Sequence, residues 1–304
     1  MRKKDKTKLY IITLAAALVL FLGYQLFQYL KPFKPIAEIT TGTIAPETSN
    51  APFWFFAPSV GQCDMSVINL EGTVIVIDAA DNTRKDEVLG KLKRATGGVI
   101  DYLILTHMHA DHIGTAPEII KEFEVKNLIL NRPGTTPSTS IYERLLNAAV
   151  EKNLKPTEVK SGGELKTANG KIEFFCSENA QTNLNNESIS VKISYKNHSM
   201  LFTGDTESKV ENEYLKAGFD LNADILKVGH HGSKTSSTEK FLNSVSPAHA
   251  VIMVGDNNYG HPNEEVLKRL NKLGIVCLRT DLNGDILFES DGETISIKTE
   301  KGIT

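Results

Sequence analysis

Cysteine is scarce in this chain of 304 residues: three, at positions 63, 176 and 277, odd in number and far apart. That excludes a disulfide framework and a Cys-x-x-Cys zinc site, and reads as small buried apolar side chains. An excess of positive charge is missing too. Lys and Arg number 34 against 37 Asp and Glu, a formal net charge of −3, so no overall basic field draws the chain to nucleic acid. Any such contact must rest on a local patch or on metal-bound phosphate. No internal repeat of fixed period and no low-complexity tract occurs. With 40% hydrophobic and 23% charged residues, the expectation is one large domain, or one domain with a short appendage.

Long apolar runs are absent with one exception. Residues 1–8 carry five Lys or Arg and one Asp, and residues 9–30 then run for 22 positions without a charge. That length crosses a hydrocarbon core as a helix, and the basic flank favours a cytoplasmic N-terminus. A cleaved signal peptide is the rival, but Lys31-Pro32-Phe33-Lys34-Pro35 makes a poor cleavage site. The reading is a basic tail at 1–8, a transmembrane anchor at 9–30, a linker at 31–51 and a folded domain at 52–298 lying outside the cytoplasm. Residues 36–51, rich in Thr, Pro, Ser and Ala, have no apolar period and read as tether.

From residue 52, β-type runs appear at 53–60, 65–70 and 73–77, with Glu71-Gly72 as a hairpin turn. Helical spacing at 86–96 precedes a buried strand at 101–105, a strand at 127–130 and a helix at 138–152. Residues 164–176 alternate around Asn169-Gly170, and 189–195 with 200–203 form a second meander. Helices at 207–217, 238–245 and 264–273 then alternate with strands at 223–228, 248–254 and 275–279. Strands at 285–289 and 294–297 close the chain.

The densest chemistry follows the 101–105 strand: Thr106-His107-Met108-His109-Ala110-Asp111-His112. His107 and His109 are two apart, so on extended backbone their rings lie on one side and can share an ion. Asp111 and His112 follow a turn and can ligate a second ion. Imidazole suits Zn, Fe, Ni or Cu, and the carboxylate adds an oxygen tolerant of Mn. Asp205 follows the 200–203 strand, where a carboxylate bridges two cations or caps the next helix. Val228-Gly229-His230-His231-Gly232 follows another strand. Adjacent side chains point apart, so one histidine is expected to bind metal and the other to face substrate or support a ligand. His231 is read as the ligand and His230 as the substrate-side group. Lys234, among Ser233, Thr235, Ser236 and Ser237, offers donors for a phosphate or belongs to an ordinary polar loop. His261, in Tyr259-Gly260-His261-Pro262, touches substrate or fixes its turn. His198 and His249 have no ligand-type neighbours and read as surface residues.

The H-x-H-x-D-H run after a strand, with later strand-end Asp and His, resembles the metallo-β-lactamase superfamily. Val60-Gly61-Gln62-Cys63-Asp64, Leu201-Phe202-Thr203-Gly204-Asp205, the run from Leu226 to Ser236 and Tyr259-Gly260-His261-Pro262 narrow the resemblance. They are similar to the soluble domain of ComEC-type DNA-internalisation competence proteins, over residues 52–297. The resemblance implies an αββα sandwich, an α/β fold, with two divalent metal ions, Zn or Mn, along one edge. His107, His109, Asp111 and His112 would be ligands, Asp205 would bridge, and His231 or His230 would complete the second site. Asp78 matches the first acidic motif, and Asp64 matches a Gly-Gln-Gly-Asp loop in which Cys63 replaces the second glycine. Asp64, Asp78 and Asn186 would orient ligands from behind. Asn185-Asn186-Glu187-Ser188 stands where a third-motif histidine is usual, so one site would lack a nitrogen ligand and either hold its ion weakly or prefer Mn over Zn. The polytopic channel of true competence proteins is absent from this sequence, so DNA uptake does not follow.

The expected function is a membrane-anchored metal-dependent phosphodiesterase using an activated water, with Asp111, His230, His261 and Lys234 as the catalytic set. Its partners would be the membrane, through residues 9–30, and a phosphodiester: nucleic acid, slightly favoured by the resemblance, or a cell-envelope phosphodiester such as a phosphocholine-decorated teichoic acid. Lactone or β-lactam hydrolysis, and a tethered metal-containing binding module without turnover, are the alternatives.

Overall fold

The computed structural model describes residues 18, 19, 34, 37–131, 139–179 and 181–302. The chain divides into two compact units, Met1–Pro35 and Ile36–Thr304. In the first, Leu18 and Val19 are helical and exposed. The rest of the expected anchor at 9–30 lies outside the described residues. Among the described residues no helix is long and apolar enough to cross a membrane.

In the second unit, alternating apolar patterns build two sheets. One contains β1 (Glu38–Thr41), β2 (Phe53–Ala57), β3 (Ser66–Leu70), β4 (Thr73–Ile77), β5 (Val99–Leu105), β6 (Glu124–Leu130) and β7 (Pro156–Glu158). The other contains β8 (Glu164–Lys166), β9 (Gly170–Phe175), β10 (Ser190–Tyr195), β11 (His198–Phe202), β12 (Ile225–Lys227), β13 (His249–Ile252) and β14 (Val276–Arg279). The last two strands, β15 (Ile286–Ser290) and β16 (Ile295–Thr299), return to the first sheet. Its order is β1-β16-β15-β2-β3-β4-β5-β6-β7, and the other runs β14-β13-β12-β11-β10-β9-β8.

Helices α1 (Lys85–Thr96), α2 (Ala110–Ile113), α3 (Ala116–Glu122) and α4 (Ser140–Glu151) follow strands of the first sheet. Helices α5 (Ser208–Ala217), α6 (Glu239–Val245) and α7 (Glu264–Lys272) follow strands of the second. The side chains of β2 show why the layers stack. Phe53, Phe55 and Ala57 join Ile172, Val191 and Phe202 between the sheets. Trp54 and Phe56 join Leu92, Ile119 and Leu145 beneath the helices. A strand with no polar face needs cover on both sides, and the αββα sandwich supplies it. A third cluster packs Leu226, Ala250 and Ile252 against Tyr214, Phe241 and Val266.

The turn between β3 and β4 matches its sequence: Leu70 pairs with Thr73 while Glu71 and Gly72 take φ 52° and 86°. That double left-handed step is the two-residue hairpin geometry that glycine makes cheap. Residues 38–51, read as tether, depart from the expectation. β1 pairs in parallel with β16, Glu38 opposite Ser296, and Ile44 is buried against the helix-side core. Four short residues without apolar alternation become a strand because they complete the hydrogen bonding of a sheet edge. His249 also departs: it is 1% exposed, within a parallel ladder between β12 and β14, and its Nε2 accepts from the Ala37 amide at 3.2 Å. His198 is half-buried, with Nδ1 2.6 Å from Ser290 Oγ. Cys63 and Cys176 are buried as expected, and burial pushes the Cys63 thiol up to about 12.

Phe55 lies between the sheets, edge-on to Phe202 and stacked on Phe288 at centroid distances of 4.9 and 5.5 Å. Phe55→Ala is expected to lower unfolding stability in urea by about 3–5 kcal/mol. Val150→Ala, at a position 76% exposed, is expected to change it by less than about 0.5 kcal/mol.

Candidate metal centre

Parallel strands place their C-terminal ends along one edge, and the polar motifs all follow such ends. Asp78 follows β4, His107 follows β5, Asp205 follows β11 and the His230-His231 pair follows β12. Backbone bonds tie these loops together: Asp64 N to Asp111 O, Asp78 N to Ile104 O, Ala79 N to His112 O and His230 N to Gly204 O, at 2.7–3.1 Å. Gly204, at φ 51°, permits this approach, because a Cβ there would sit 2.9 Å from Thr106 and Ser188 side-chain atoms.

The sequence-predicted residues converge in two groups that share Asp205. Donor atoms of Asp111, His112, Asp205 and His231 lie within 4.8 Å of one another, and so do those of His107, His109 and Asp205. His231 Nε2 is 3.2 Å from Asp111 Oδ2, and His112 Nε2 is 3.3 Å from Asp205 Oδ1. His107 Nε2 and His109 Nδ1 face each other at 3.0 Å. His107 Nε2 lies 3.9 Å from Asp205 Oδ2.

Behind these atoms the opposite ring nitrogens are held. Asp78, at φ 63°, accepts from Thr106 N and Oγ1 and faces His112 Nδ1, each at 2.8 Å. His231 Nδ1 meets Met253 O at 2.9 Å and Asp64 Oδ1 at 3.4 Å. His107 Nδ1 meets Thr106 Oγ1 at 3.2 Å and Ser188 Oγ at 3.3 Å. These contacts fix tautomer and ring direction, as ligands to a metal require.

Charge on this edge is concentrated. Burial opposes ionisation of Asp205, yet His112 and His231 hold its carboxyl well below the usual range. Burial would push the His112 imidazole down, but Asp205, Asp78 and Asp111 hold it well above its usual range. Burial would likewise lower His231, and Asp64 with Asp205 instead raises it to about 10. His107 goes the other way, lowered by burial and by His112. Burial also lowers His230 and His261.

The donor set fits a pair of divalent cations. Asp205 Oδ1 and His112 Nε2 are buried and 3.3 Å apart, yet neither makes a hydrogen bond. Two facing ring nitrogens, and a buried ring nitrogen left unbonded beside a buried carboxylate oxygen, are what a shared cation reconciles. Asp111, His112, Asp205 and His231 would hold one ion, with His107, His109 and Asp205 around the other.

Other expected residues sit differently. Lys234 is exposed on the rim, and its loop turns inward: Ser236 and Ser237 are buried, and Arg269 donates to the carbonyls of residues 234, 236 and 237. Those two hydroxyls therefore do not present a phosphate cradle. Asn186 reaches the centre indirectly, bonding Glu207 through both ends of its amide at 3.2 Å. Asn185 lies nearer, with Nδ2 3.4 Å from His230 Nε2. His261 stands 5.4 Å from His230, ring to ring, with Nδ1 buried and without a hydrogen bond.

The pair itself corrects the expectation that adjacent rings point apart. His230 (φ 53°, ψ 47°) and His231 (φ 50°, ψ 27°) are both left-handed, which turns both rings to the centre. Two such residues without glycine cost about 1–3 kcal/mol each, a strain typical of functional sites. Sequence reasoning also missed Lys227. It is 2% exposed, its ammonium pairs with Asp64, and it donates to Gly204 O at 3.3 Å. The signal was present: one charge inside the apolar run Ile225-Leu226-Lys227-Val228.

Comparison with known proteins bears on the family and the fold. Residues 58–256 match the family model of the metallo-beta-lactamase superfamily. ComE operon protein 3 of Bacillus subtilis is 38% identical over 191 residues, covering 62% of this chain and 24% of that protein. Recombination protein 2 of Haemophilus influenzae is 31% identical over 234 residues, 75% of this chain and 27% of that protein. Competence protein ComA of Neisseria gonorrhoeae is 41% identical over 114 residues, 37% of this chain and 16% of that protein. The chain thus spans between 16 and 27% of the length of these relatives. Among solved structures, CmlA, a diiron β-hydroxylase from Streptomyces venezuelae, aligns at TM-score 0.56 and 13% identity over 80% of this chain and 55% of its own. YhfI of Bacillus subtilis aligns at 0.53 and 12%, over 78% and 100%. At such identities the likeness is one of fold.

Removing one partner of a buried ion pair strands the other charge. Lys227→Met is expected to cost about 3–5 kcal/mol in urea unfolding, and adding Asp64→Asn is expected to recover more than half of that. Simple additivity of the two costs would show that the pair is not coupled.

Proposed function

This chain belongs to the metallo-beta-lactamase superfamily, and from that premise we propose that it is a metal-dependent phosphodiesterase, anchored by residues 9–30 with its catalytic domain outside the cytoplasm. The observation that carries the substrate class is charge. Four buried or half-buried carboxylates, Asp64, Asp78, Asp111 and Asp205, meet one ammonium, Lys227, at this edge. Two divalent cations with neutral imidazoles bring the formal total of that set to plus one. With Glu207 behind His230 counted the total is zero, so the preference rests on the cations themselves, whose local charge suits an anionic phosphodiester better than a neutral lactone. The names of the relatives, competence and recombination, favour nucleic acid over a cell-envelope phosphodiester.

When bound, the cations polarise a phosphate oxygen and lower the pKa of water. The chain's own residues position the reactants. Asp111 and Asp205 hold carboxylate oxygens on adjoining sides of the centre, where they orient a water for in-line attack on phosphorus. His261, whose ring stands beside His230, donates a hydrogen bond to a phosphoryl oxygen as charge develops. Lys234, exposed on the rim, meets the flanking negative charge of the substrate. The anchor reading is supported by the uncharged run of residues 9–30 behind a basic tail.

The test is a substrate panel on the full chain in detergent with Mn or Zn: bis(4-nitrophenyl) phosphate, single-stranded DNA and a β-lactam. Cleavage of the first two, abolished by chelator and by Asp111→Ala, is the expected result. His261→Ala is expected to lower kcat by about 10²–10³-fold while bound metal stays unchanged. Turnover of the β-lactam alone would overturn the substrate class. Metal binding with no turnover would point to a binding module.

A further inference from the structure

The sequence alone leans to a substrate-side role for His230 while keeping it among the metal candidates, and its surroundings bear on that choice. We infer that the adjacent histidines are divided between the two cations. His231 serves the position of Asp111 and His112, and His230 completes the position of His107 and His109. This rests on the two-cation reading of the centre.

Geometry supplies the argument. His231 Nε2 meets Asp111 Oδ2 at 3.2 Å, whereas His230 Nε2 lies 3.7 Å from Asp205 Oδ2, the oxygen that also faces His107 Nε2. One carboxylate oxygen thus sees an imidazole from each side. The group of His107, His109 and Asp205 offers two nitrogens and one shared carboxylate, one donor short of a tetrahedral set. His230 reaches that gap through Asp205 Oδ2, although its ring nitrogens lie outside the set of donor atoms within 4.8 Å of one another.

The groups behind each ring make the same distinction. His107, His112 and His231 each have Nδ1 held from behind, which sends Nε2 forward. His230 repeats the pattern. Its Nδ1 lies 3.3 Å from Thr235 Oγ1 and 3.7 Å from Glu207 Oε1. Glu207 is fixed in turn, its Oε2 accepting from Asn183 at 3.0 Å and Asn186 at 3.2 Å. A carboxylate behind the ring orients a metal-bound histidine and raises its basicity. His261 has no such support, since its Nδ1 is unpartnered. The forward nitrogen of His230 has Asn185 Nδ2 at 3.4 Å, a long contact that a stronger donor–acceptor interaction displaces. The consecutive left-handed residues find their reason here: an extended pair delivers one ring to the centre, and this pair delivers both.

The test counts ions rather than turnover. Full-chain protein is stripped with chelator and titrated with Mn or Zn, the bound ions being measured by elemental analysis and calorimetry. Wild type is expected to bind two ions. His230→Ala is expected to retain one, or to bind the weaker ion about 10–100-fold less tightly. Glu207→Gln, which alters only the group behind the ring, is expected to weaken the same ion about 10-fold, and His261→Ala to leave both unchanged. His230→Gly accepts the left-handed backbone and serves if the alanine variant fails to fold. Two ions held at wild-type affinity by the His230 variants would overturn the assignment. A wild type that binds two ions but cleaves no phosphodiester would remove only the proposed substrate.

Discussion

Negative charge crowded onto one edge of the sandwich is the constraint on which the rest depends. Two like charges about 4 Å apart repel by about 4 kcal/mol at an effective dielectric of 20, and this edge brings Asp64, Asp78, Asp111 and Asp205 together. They coexist because positive or polarisable partners are interleaved. Lys227 faces Asp64, His112 lies between Asp78 and Asp205, and His231 spans Asp64 and Asp111. The raised His112 and His231 and the depressed Asp205 follow from this arrangement. An edge so arranged is a candidate receptor for cations.

The fold makes this crowding possible by ending parallel strands together. β4 and β5 run in parallel in one sheet, and β11, β12 and β13 do so in the other. Each delivers its following loop to the same rim while its apolar residues remain in the layers. Lys227 shows the two demands meeting in one residue. It sits on the same face of β12 as Ile225, inside the sandwich, but at the last position of the strand, where it reaches Asp64. A charge one turn deeper would have no partner and would incur the full cost of burial.

Much of this was legible in the sequence because the chemistry is local. His107, His109, Asp111 and His112 lie within six positions, and a two-residue spacing on extended chain already places rings together. Strands and helices from residue 53 onward follow apolar period, and the observed α1, α4 and α7 fall within two residues of their expected ends. What escaped was relational. β1 exists because β16 offers it an edge, and nothing in Glu38-Ile39-Thr40-Thr41 announces that partner. Glu207 reads as an ordinary helix start, and its value lies in Asn183, Asn186 and His230, which meet it only after folding. The loop around Lys234 is relational in the same way. A Ser/Thr-rich loop with a lysine has the composition of a phosphate site, but two of its hydroxyls are turned inward and Arg269 occupies its carbonyls.

The histidine pair shows the limit of arguing from spacing. Period-two reasoning assumes extended backbone, and on that assumption neighbours must diverge. A left-handed step at both residues cancels the assumption, at a cost that only a gain at the centre offsets. Direction alone does not distinguish a metal ligand from a group that touches substrate, because both face the rim. For His230 the distance to the shared Asp205 oxygen, together with a partner behind the ring, favours the ligand reading. A ligand must present one lone pair in a fixed direction, so a partner locks its other nitrogen, as at His107, His112, His231 and His230. In the proposed division of the pair the centre has imidazoles enough for two cations, and His230, from another strand end, would take the place of the third-motif histidine.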